Sequence, residues 1–300
     1  MESKTGEVAI KGYYDFEKTL DYIRLSKSAI LEKVSENLYE RVFRFEEQLI
    51  LVSVQCKKYG SSTSFVITAK GEEVNDYIFN LVIQKIHHIF SFNKGGIFDE
   101  ISKNDLVFSS VLREFKYVRP ILIGEPYEAL IWSIIGQQIN VKFAEKLRQR
   151  FLELCGATTL IDGQEYYYIP TPEQVISISK EDFQRMQFSK QKTEYILSLS
   201  KAIVKGELDL GILHDLTQKE ATEYLTNFKG IGKWTADSIL MRGIGFQNIF
   251  PSGDVGLQRI VRKAYKLENI SEVELEKLSQ NWSPNRSWAA FLWWFALQYE

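Results

Sequence analysis

Residues 224–263 read YLTNFKGIGKWTADSILMRGIGFQNIFPSGDVGLQRIVRK, and this stretch decides the fold. Two helical patterns, residues 219–227 and 234–242, are joined by the tight turn KGIGK at residues 229–233. Because glycine adopts positive φ at little steric cost, Gly230 and Gly232 predict a sharp reversal between two helices. The missing side chains also let main-chain N–H groups approach a ligand closely. Those groups stand at the start of a helix, where free donors and the helix dipole favour an anion such as a phosphate.

A second loop, Phe250-Pro251-Ser252-Gly253, places a carboxylate, Asp254, at the start of the next apolar helical stripe. An Asp at that position is most often only an N-cap. The helix dipole also favours a negative charge there, which keeps the carboxylate ionised. A fixed anion is what a glycosidic bond needs when its sugar becomes oxocarbenium-like, so Asp254 is a candidate catalytic residue as well as a cap.

The run FKGIGKWTADSILMRG…FPSGDVGLQR resembles the helix–hairpin–helix DNA glycosylase superfamily. Within it, the chain is most similar to the 3-methyladenine DNA glycosylase II enzymes of alkylation repair, over most of residues 120–300. The resemblance implies that Asp254 is the catalytic carboxylate and that the hairpin grips DNA phosphates. Members that also cut the strand have a Lys just after the hairpin as an imine-forming nucleophile. This chain has Trp234 there, so it resembles the monofunctional branch.

The resemblance also implies a base pocket, a DNA interface and a cation site. The base pocket would contain Trp234, Ser238, Tyr22, Val255 and Asn285. The DNA interface would contain Gly230, Ile231, Gly232, Lys233 and Thr235 of the hairpin, with Gln137 and Gln138 of a second loop. Gln138 stands where the family inserts a wedge into the duplex. No cofactor is required, but the main-chain carbonyls of Thr226, Phe228 and Ile231 would hold a structural Na⁺ or K⁺.

The amino-acid composition limits the classes of partner that the protein is expected to bind. The 300 residues are 45% hydrophobic and 25% charged with a net charge of −2, which argues against a protein that coats polyanions generally. Charge is local, because residues 229–263 hold six Lys and Arg against two Asp, which suits a small footprint on DNA. Two cysteines indicate neither a disulfide framework nor a zinc cluster. No signal peptide or membrane-spanning run is evident, so an intracellular (cytoplasmic) protein is expected. A monomer is also expected.

The sequence predicts an α+β fold in two domains. Residues 1–115 form an N-terminal domain with helices and an antiparallel sheet, whose strands include Leu38–Phe45, Glu47–Cys56 and Ser64–Thr68, with a turn at residues 59–62. Residues 116–300 form an all-helical catalytic domain with the helix–hairpin–helix at about 219–243. Residues 156–172 are predicted to be a loop. The last helix, Ala289–Tyr299, is very apolar, and its Trp293, Trp294 and Phe295 are assigned to the core.

The predicted function is that of a monofunctional glycosylase of base excision repair. It would hydrolyse the N-glycosidic bond of alkylated purines such as 3-methyladenine, in nucleotides flipped out of double-stranded DNA. Two alternatives stay open: a non-catalytic helix–hairpin–helix module that binds DNA structures, and a glycosylase of the same superfamily with an oxidised-base substrate. Asp254 distinguishes the predicted glycosylase from the non-catalytic module, because a module that only holds DNA does not need that carboxylate.

Overall fold

The computed structural model describes residues 1–26, 30–59 and 62–299, so residues 60–61 of the predicted turn lie outside the described residues. The N-terminal region contains a five-stranded antiparallel sheet with the strand order β1-β5-β4-β3-β2. Its strands are β1 (Glu2–Ile10), β2 (Glu32–Val34), β3 (Leu38–Phe45), β4 (Gln48–Tyr59) and β5 (Ser62–Gly71). The predicted antiparallel sheet is therefore confirmed.

Both faces of this sheet pack against helices. Alternate side chains of a strand point to opposite faces, so each strand contributes to both contacts. Helices α1 (Phe16–Ser26) and α2 (Asp76–Ile89) belong to the same buried cluster as Val52, Val54 and Ile67. Val42 and Leu51, from neighbouring positions on β3 and β4, belong instead to the cluster formed by the later helices. The sheet is thus covered by its own helices on one side and by the helical region on the other.

The helical region begins after the sheet and confirms the predicted α+β fold. Its helices are α3 (Ile97–Ser102), α4 (Leu106–Leu112), α5 (Pro126–Gly136), α6 (Val141–Leu154), α7 (Pro172–Ile176), α8 (Lys180–Arg185), α9 (Lys190–Val204), α10 (Gln218–Thr226), α11 (Lys233–Ser238), α12 (Val255–Ala264), α13 (Glu272–Ser279) and α14 (Arg286–Leu297). Short 3₁₀ turns cover Arg113–Phe115, Gly211–His214 and Gln280–Trp282. No helix among the described residues is both long and apolar enough to cross a bilayer.

Residues 156–172 are not the plain loop that the sequence suggested. They contain a small antiparallel hairpin, β6 (Thr158–Ile161) paired with β7 (Gln164–Tyr167). The connection is Asp162-Gly163, and both residues have positive φ, at 52° and 76°. A two-residue Asp-Gly turn of this kind matches the right-handed twist of the flanking strands. That turn signal is in the sequence, and the prediction of a loop was wrong.

A buried ion pair joins the sheet to the helical region. Arg41 of β3 bonds Glu128 of α5, and both residues are almost fully buried. Arg41 also donates to Glu32 of β2 at 2.7 Å, while the indole N–H of Trp132 donates to Glu128 at 2.9 Å. Removing one partner of such a pair would leave a buried charge uncompensated. Since both buried clusters contain residues of the sheet, the domain boundary at residue 115 stays a prediction.

Candidate active site and nucleic-acid interface

The two glycines of the hairpin turn between α10 and α11 have different roles. Gly230 has φ +100°, and a Cβ added there would lie 2.7 Å from Cγ of Tyr195. Gly232 has φ −90° and ψ 177°, an ordinary extended conformation, so the expectation of positive φ holds only for Gly230. A Cβ added at Gly232 would meet no protein atom within 4 Å. Gly230 is thus needed for the fold of the turn, whereas Gly232 leaves open space outside the protein.

The two lysines of the hairpin turn expose their side chains, whereas Ile231 and Thr235 are buried, at 4% and 2% exposure. The ammonium of Lys229 lies 3.3 Å from Glu194, and that of Lys233 lies 2.8 Å from Asp237. Both lysine side chains are more than 70% exposed, but Glu194 is exposed whereas Asp237 is buried. Exposed ion pairs are weak, so Lys229 can turn towards a phosphate at low cost. Lys233 can do so only by leaving the buried Asp237 carboxylate without its cation.

A second loop faces the hairpin across an open groove. Gln138 in this loop is exposed and has φ 55°, an uncommon conformation for a residue other than glycine. Gln137 is tied to the hairpin, because its side-chain amide donates to the Gly230 carbonyl at 3.0 Å and to the Thr235 hydroxyl at 3.1 Å. The groove is lined by this loop, by the start of α9 and by residues 226–232. The structure therefore brings the predicted DNA-contacting loops together.

The carbonyls assigned to a monovalent cation belong to the same groove. Thr226, Phe228 and Ile231 are all among its lining residues. The Phe228 carbonyl accepts the Ile231 N–H at 3.0 Å, which uses one of its two lone pairs. The second lone pair can still bind a cation. These residues therefore fit an oxygen-ligated ion, and none of them supplies a softer ligand.

Asp254 is held in place from two sides. It is the N-cap of α12, and its Oδ1 accepts the Leu257 N–H at 2.8 Å. The same oxygen accepts the indole N–H of Trp294 at 3.2 Å. Both bonds are to Oδ1, so they leave Oδ2 for a ligand. A side chain on Gly256 would come within 3.1 Å of Oδ1, so this glycine keeps the carboxylate uncrowded. The cap is thus also a half-buried, oriented anion.

Trp294 is a candidate site residue that sequence reasoning missed when it assigned this aromatic run to the core. Trp288, Phe291 and Trp294 follow each other at three-residue spacing on α14, and all three line one cleft. This spacing on a helix indicated a shared face, and it was the available signal. Trp293 is fully buried, as expected, and Phe295 is too. Trp294 is only half-buried and joins the cleft to Asp254.

The structure gathers some of the predicted base-pocket residues and separates others. Tyr22 and Asn285 line the cleft, and the ring of Tyr22 lies 4.7 Å from that of Phe291. Asn285 is buried, and its amide donates to Glu100 at 3.1 Å. The other three are not among the residues that line the cleft: Trp234 is 46% exposed, Val255 is 77% exposed, and Ser238 lies 3.0 Å from the Ser133 hydroxyl.

A π-helical turn shapes the opposite wall of the cleft. Residues Ile239–Ile244 form this turn, and its Met241 and Arg242 line the cleft. The Arg242 carbonyl accepts the Ile123 N–H at 2.7 Å, which fixes the turn against the segment before α5. Lys94 lines the same cleft, and burial lowers its pKa. Single π-helical turns are frequent at functional sites, which agrees with this placement.

The part of the chain that forms this site matches a known protein family. The family model of the HhH-GPD superfamily base excision DNA repair proteins matches residues 131–285, which contain the hairpin, the Gln137–Gln138 loop and Asp254. A Bacillus subtilis protein named DNA-3-methyladenine glycosylase is 28% identical over 97% of this chain and 96% of its own length.

Solved structures share the fold. A 3-methyladenine DNA glycosylase from Archaeoglobus fulgidus superposes with a TM-score of 0.82 at 22% identity, covering 96% of each chain. A Clostridium acetobutylicum 8-oxoguanine glycosylase/lyase bound to double-stranded DNA has a TM-score of 0.72 at 20% identity, covering 99% of this chain and 96% of that one. Fold and site thus define a helix–hairpin–helix protein of DNA base excision. The chain belongs to the HhH-GPD superfamily of base excision DNA repair proteins.

Proposed function

We propose that this protein is a monofunctional DNA glycosylase that releases alkylated purines such as 3-methyladenine from double-stranded DNA. The observation that carries the proposal is the Asp254 carboxylate, held on Oδ1 by a helix N-terminus and by Trp294. The names of the B. subtilis and A. fulgidus relatives support the alkylated substrate. Activity as a monomer, in the cytoplasm with the chromosome, is part of the proposal.

The mechanism begins with a nucleotide turned out of the duplex, which costs a few kcal/mol and costs least for a damaged pair. Main-chain N–H groups at the start of α11 bind a phosphate beside Gly232, where the structure leaves space. Gln138 fills the gap in the duplex. A Na⁺ or K⁺ on the carbonyls of Thr226, Phe228 and Ile231 would supply positive charge next to the backbone. These contacts offset the cost of flipping.

Asp254 then acts on the extruded nucleotide. As the base leaves, the sugar acquires positive charge, and the free Oδ2 stabilises that charge and orients a water. Because both hydrogen bonds to Oδ1 are already made, the carboxylate reorganises little during the reaction. Trp234 follows the hairpin turn and is 46% exposed, so its ring is free to stack on an electron-deficient base. Tyr22 and Trp294 provide further aromatic surface in the cleft.

Base release from a panel of duplexes, each with one defined lesion, tests this function. The product should be an intact strand with an abasic site, cleaved only after hot alkali. Trp234 supplies no amine after the hairpin, so borohydride should trap no covalent enzyme–DNA adduct. Trapped adduct would show that another lysine acts as nucleophile. Binding of damaged DNA without release of any base would favour the non-catalytic alternative.

The oxidised-base alternative has one specific observation, the fold shared with an 8-oxoguanine glycosylase/lyase. That protein is named a lyase, an activity that requires a nucleophile, whereas this chain has Trp234 after its hairpin. The lesion panel includes 8-oxoguanine opposite cytosine for this reason. Faster release of 8-oxoguanine than of 3-methyladenine would decide for the alternative.

Trp294→Phe should slow base release about tenfold, because a hydrogen bond to a charged group contributes about 1.5 kcal/mol. The variant keeps a ring in the cleft but loses the donor to Oδ1 of Asp254. Single-turnover rates at saturating enzyme are the measurement. Trp293→Phe, one position away in the core, is the matched control and should keep the wild-type rate once it is folded. Equal rates for Trp294→Phe and wild type would remove this tryptophan from the site.

Substrate range should be narrow. Of the positions where aromatic rings are expected in broad-range relatives, Asn285 lines the cleft, whereas Ser238 and Val255 do not. Each cation–aromatic contact is worth about 0.5–2 kcal/mol, and a hydrogen-bonding side chain in place of a ring rejects a wrong base more sharply than an apolar wall does. We therefore expect 3-methyladenine to be released faster than hypoxanthine or bulky lesions in single-turnover assays. Similar rates for 3-methyladenine, 7-methylguanine and hypoxanthine would contradict this prediction.

A further inference from the structure

Lys192 in α9 is a buried lysine beneath the groove. Its side chain is 8% exposed, and its ammonium donates to three main-chain carbonyls at the end of α5. The distances are 3.0 Å to Ile134, 2.9 Å to Ile135 and 2.6 Å to Gln137. An ammonium has three N–H donors, and the last carbonyls of a helix lack intrahelical partners and carry partial negative charge. Lys192 thus caps α5 with all of its donors.

This arrangement needs an explanation, because lysine is rarely buried and a buried charge is costly unless it is hydrogen-bonded. Burial lowers the pKa of Lys192, as expected for such a position. The shortest of its three bonds is to Gln137, the residue before Gln138. Gln138 has φ 55°, a sparsely populated conformation that persists only when its surroundings hold it. The lysine therefore supports the turn that exposes Gln138.

The same helix also supports the hairpin. Tyr195, three residues after Lys192, has its ring directly beneath Gly230, where an added Cβ would lie 2.7 Å from Cγ. Gln137 joins the two supported elements, because its side chain donates to the Gly230 carbonyl and to Thr235. The turn at residues 136–138 and the hairpin are thus bonded to each other and rest on one helix.

We propose that Lys192 is a positioning residue for lesion recognition: it fixes the 136–138 turn on α9 so that Gln138 and the hairpin meet the duplex as one rigid unit. This inference rests on the proposed glycosylase function. Lys192 touches neither the flipped base nor the reacting atoms, and it acts through Gln137 and Gln138. Its effect should therefore appear where a base pair has to be opened, and not in the chemical step.

The test compares Lys192→Met, which keeps the aliphatic chain but removes the ammonium, with Lys192→Arg, which restores a cation. Lys201→Met, an exposed lysine of the same helix, is the matched control. Single-turnover base release is measured for the same lesion in a paired duplex and in a bulge, where no pair has to be broken. A misplaced group can cost about 100-fold in rate, and we expect up to that loss for Lys192→Met on the paired lesion. The bulged lesion should react at the wild-type rate, and Lys192→Arg should recover part of the loss.

A second variant guards against a folding defect. Gln137→Met removes the amide donor to Gly230 from the half-buried side of the turn and should give the same selective loss. Fluorescence of 2-aminopurine beside the lesion should show less flipping in both variants. Equal loss on paired and bulged lesions would mean a merely structural role and would overturn the inference, as would wild-type rates in both variants. A wild-type protein that releases no base from any lesion would overturn the proposed function instead.

Discussion

Asp254→Asn should lose about 10²–10³ in the rate of base release, the usual effect of removing a preorganised electrostatic group. The change is isosteric and preserves the fold, because Asn is as good an N-cap as Asp. Its amide oxygen can still accept from Leu257 and Trp294, so the loss isolates the negative charge. Single-turnover release of 3-methyladenine and equilibrium binding of lesion DNA are measured on the same preparation. Binding should stay close to that of the wild type.

Glu272→Gln is the matched control for this variant. Glu272 is exposed, and its carboxylate lies about 3.4 Å from where a side chain on Gly253 would begin, in the loop that leads to Asp254. The Glu272→Gln substitution therefore removes one negative charge near Asp254 without changing the proposed catalytic group. Its rate should match that of the wild type. A wild-type rate for Asp254→Asn would leave Asp254 as only a helix cap.

Gly232→Val should weaken DNA binding about 100-fold, the loss of two charge-assisted hydrogen bonds at about 1.5 kcal/mol each. The valine has free space on the protein side, since an added Cβ meets no atom within 4 Å and φ is −90°. It therefore blocks only the approach of a phosphate to the main chain of the hairpin. The log–log salt dependence of binding should become shallower by about 0.9 for each phosphate that the variant no longer binds. Titrations at several salt concentrations measure both quantities.

Gly232→Ala provides a graded control, because its single methyl group should give an intermediate loss of affinity. Thermal unfolding of both variants should stay near that of the wild type, since the cap position costs at most about 1 kcal/mol. A substitution at Gly230 would not separate DNA binding from the conformation of the turn. The positive φ of Gly230 and the nearby ring of Tyr195 mean that a side chain there disturbs the turn itself. Unchanged affinity in a folded Gly232→Val variant would remove the hairpin from the interface.

The sequence predicted the features that depend on local chemistry. The hairpin, the N-cap position of Asp254 and the alternating strands of the sheet are all confirmed in the structure, because turn residues, caps and period-two patterns act within a few residues. The same local rules predict a hairpin turn at Asp162-Gly163, where the structure has one and where a loop was predicted.

Features that depend on distant partners were not predictable in this way. Trp293 and Trp294 are adjacent aromatics in one apolar run, and only packing decides that the first is core and the second reaches Asp254. A lysine in an amphipathic helix is expected at the surface, yet Lys192 is buried because the end of α5 lies against it. The alternation of apolar and polar residues contains no information about such tertiary contacts.

The contact between Tyr22 and Phe291 has a consequence for folding. One wall of the cleft comes from α1, near the beginning of the sequence, and another from α14, near its end. Contacts between residues far apart in sequence form slowly, because a long loop must be closed before they are made. The hairpin, whose two helices are neighbours in the chain, can form without waiting for them. During synthesis on the ribosome the hairpin turn should therefore be complete before the cleft is.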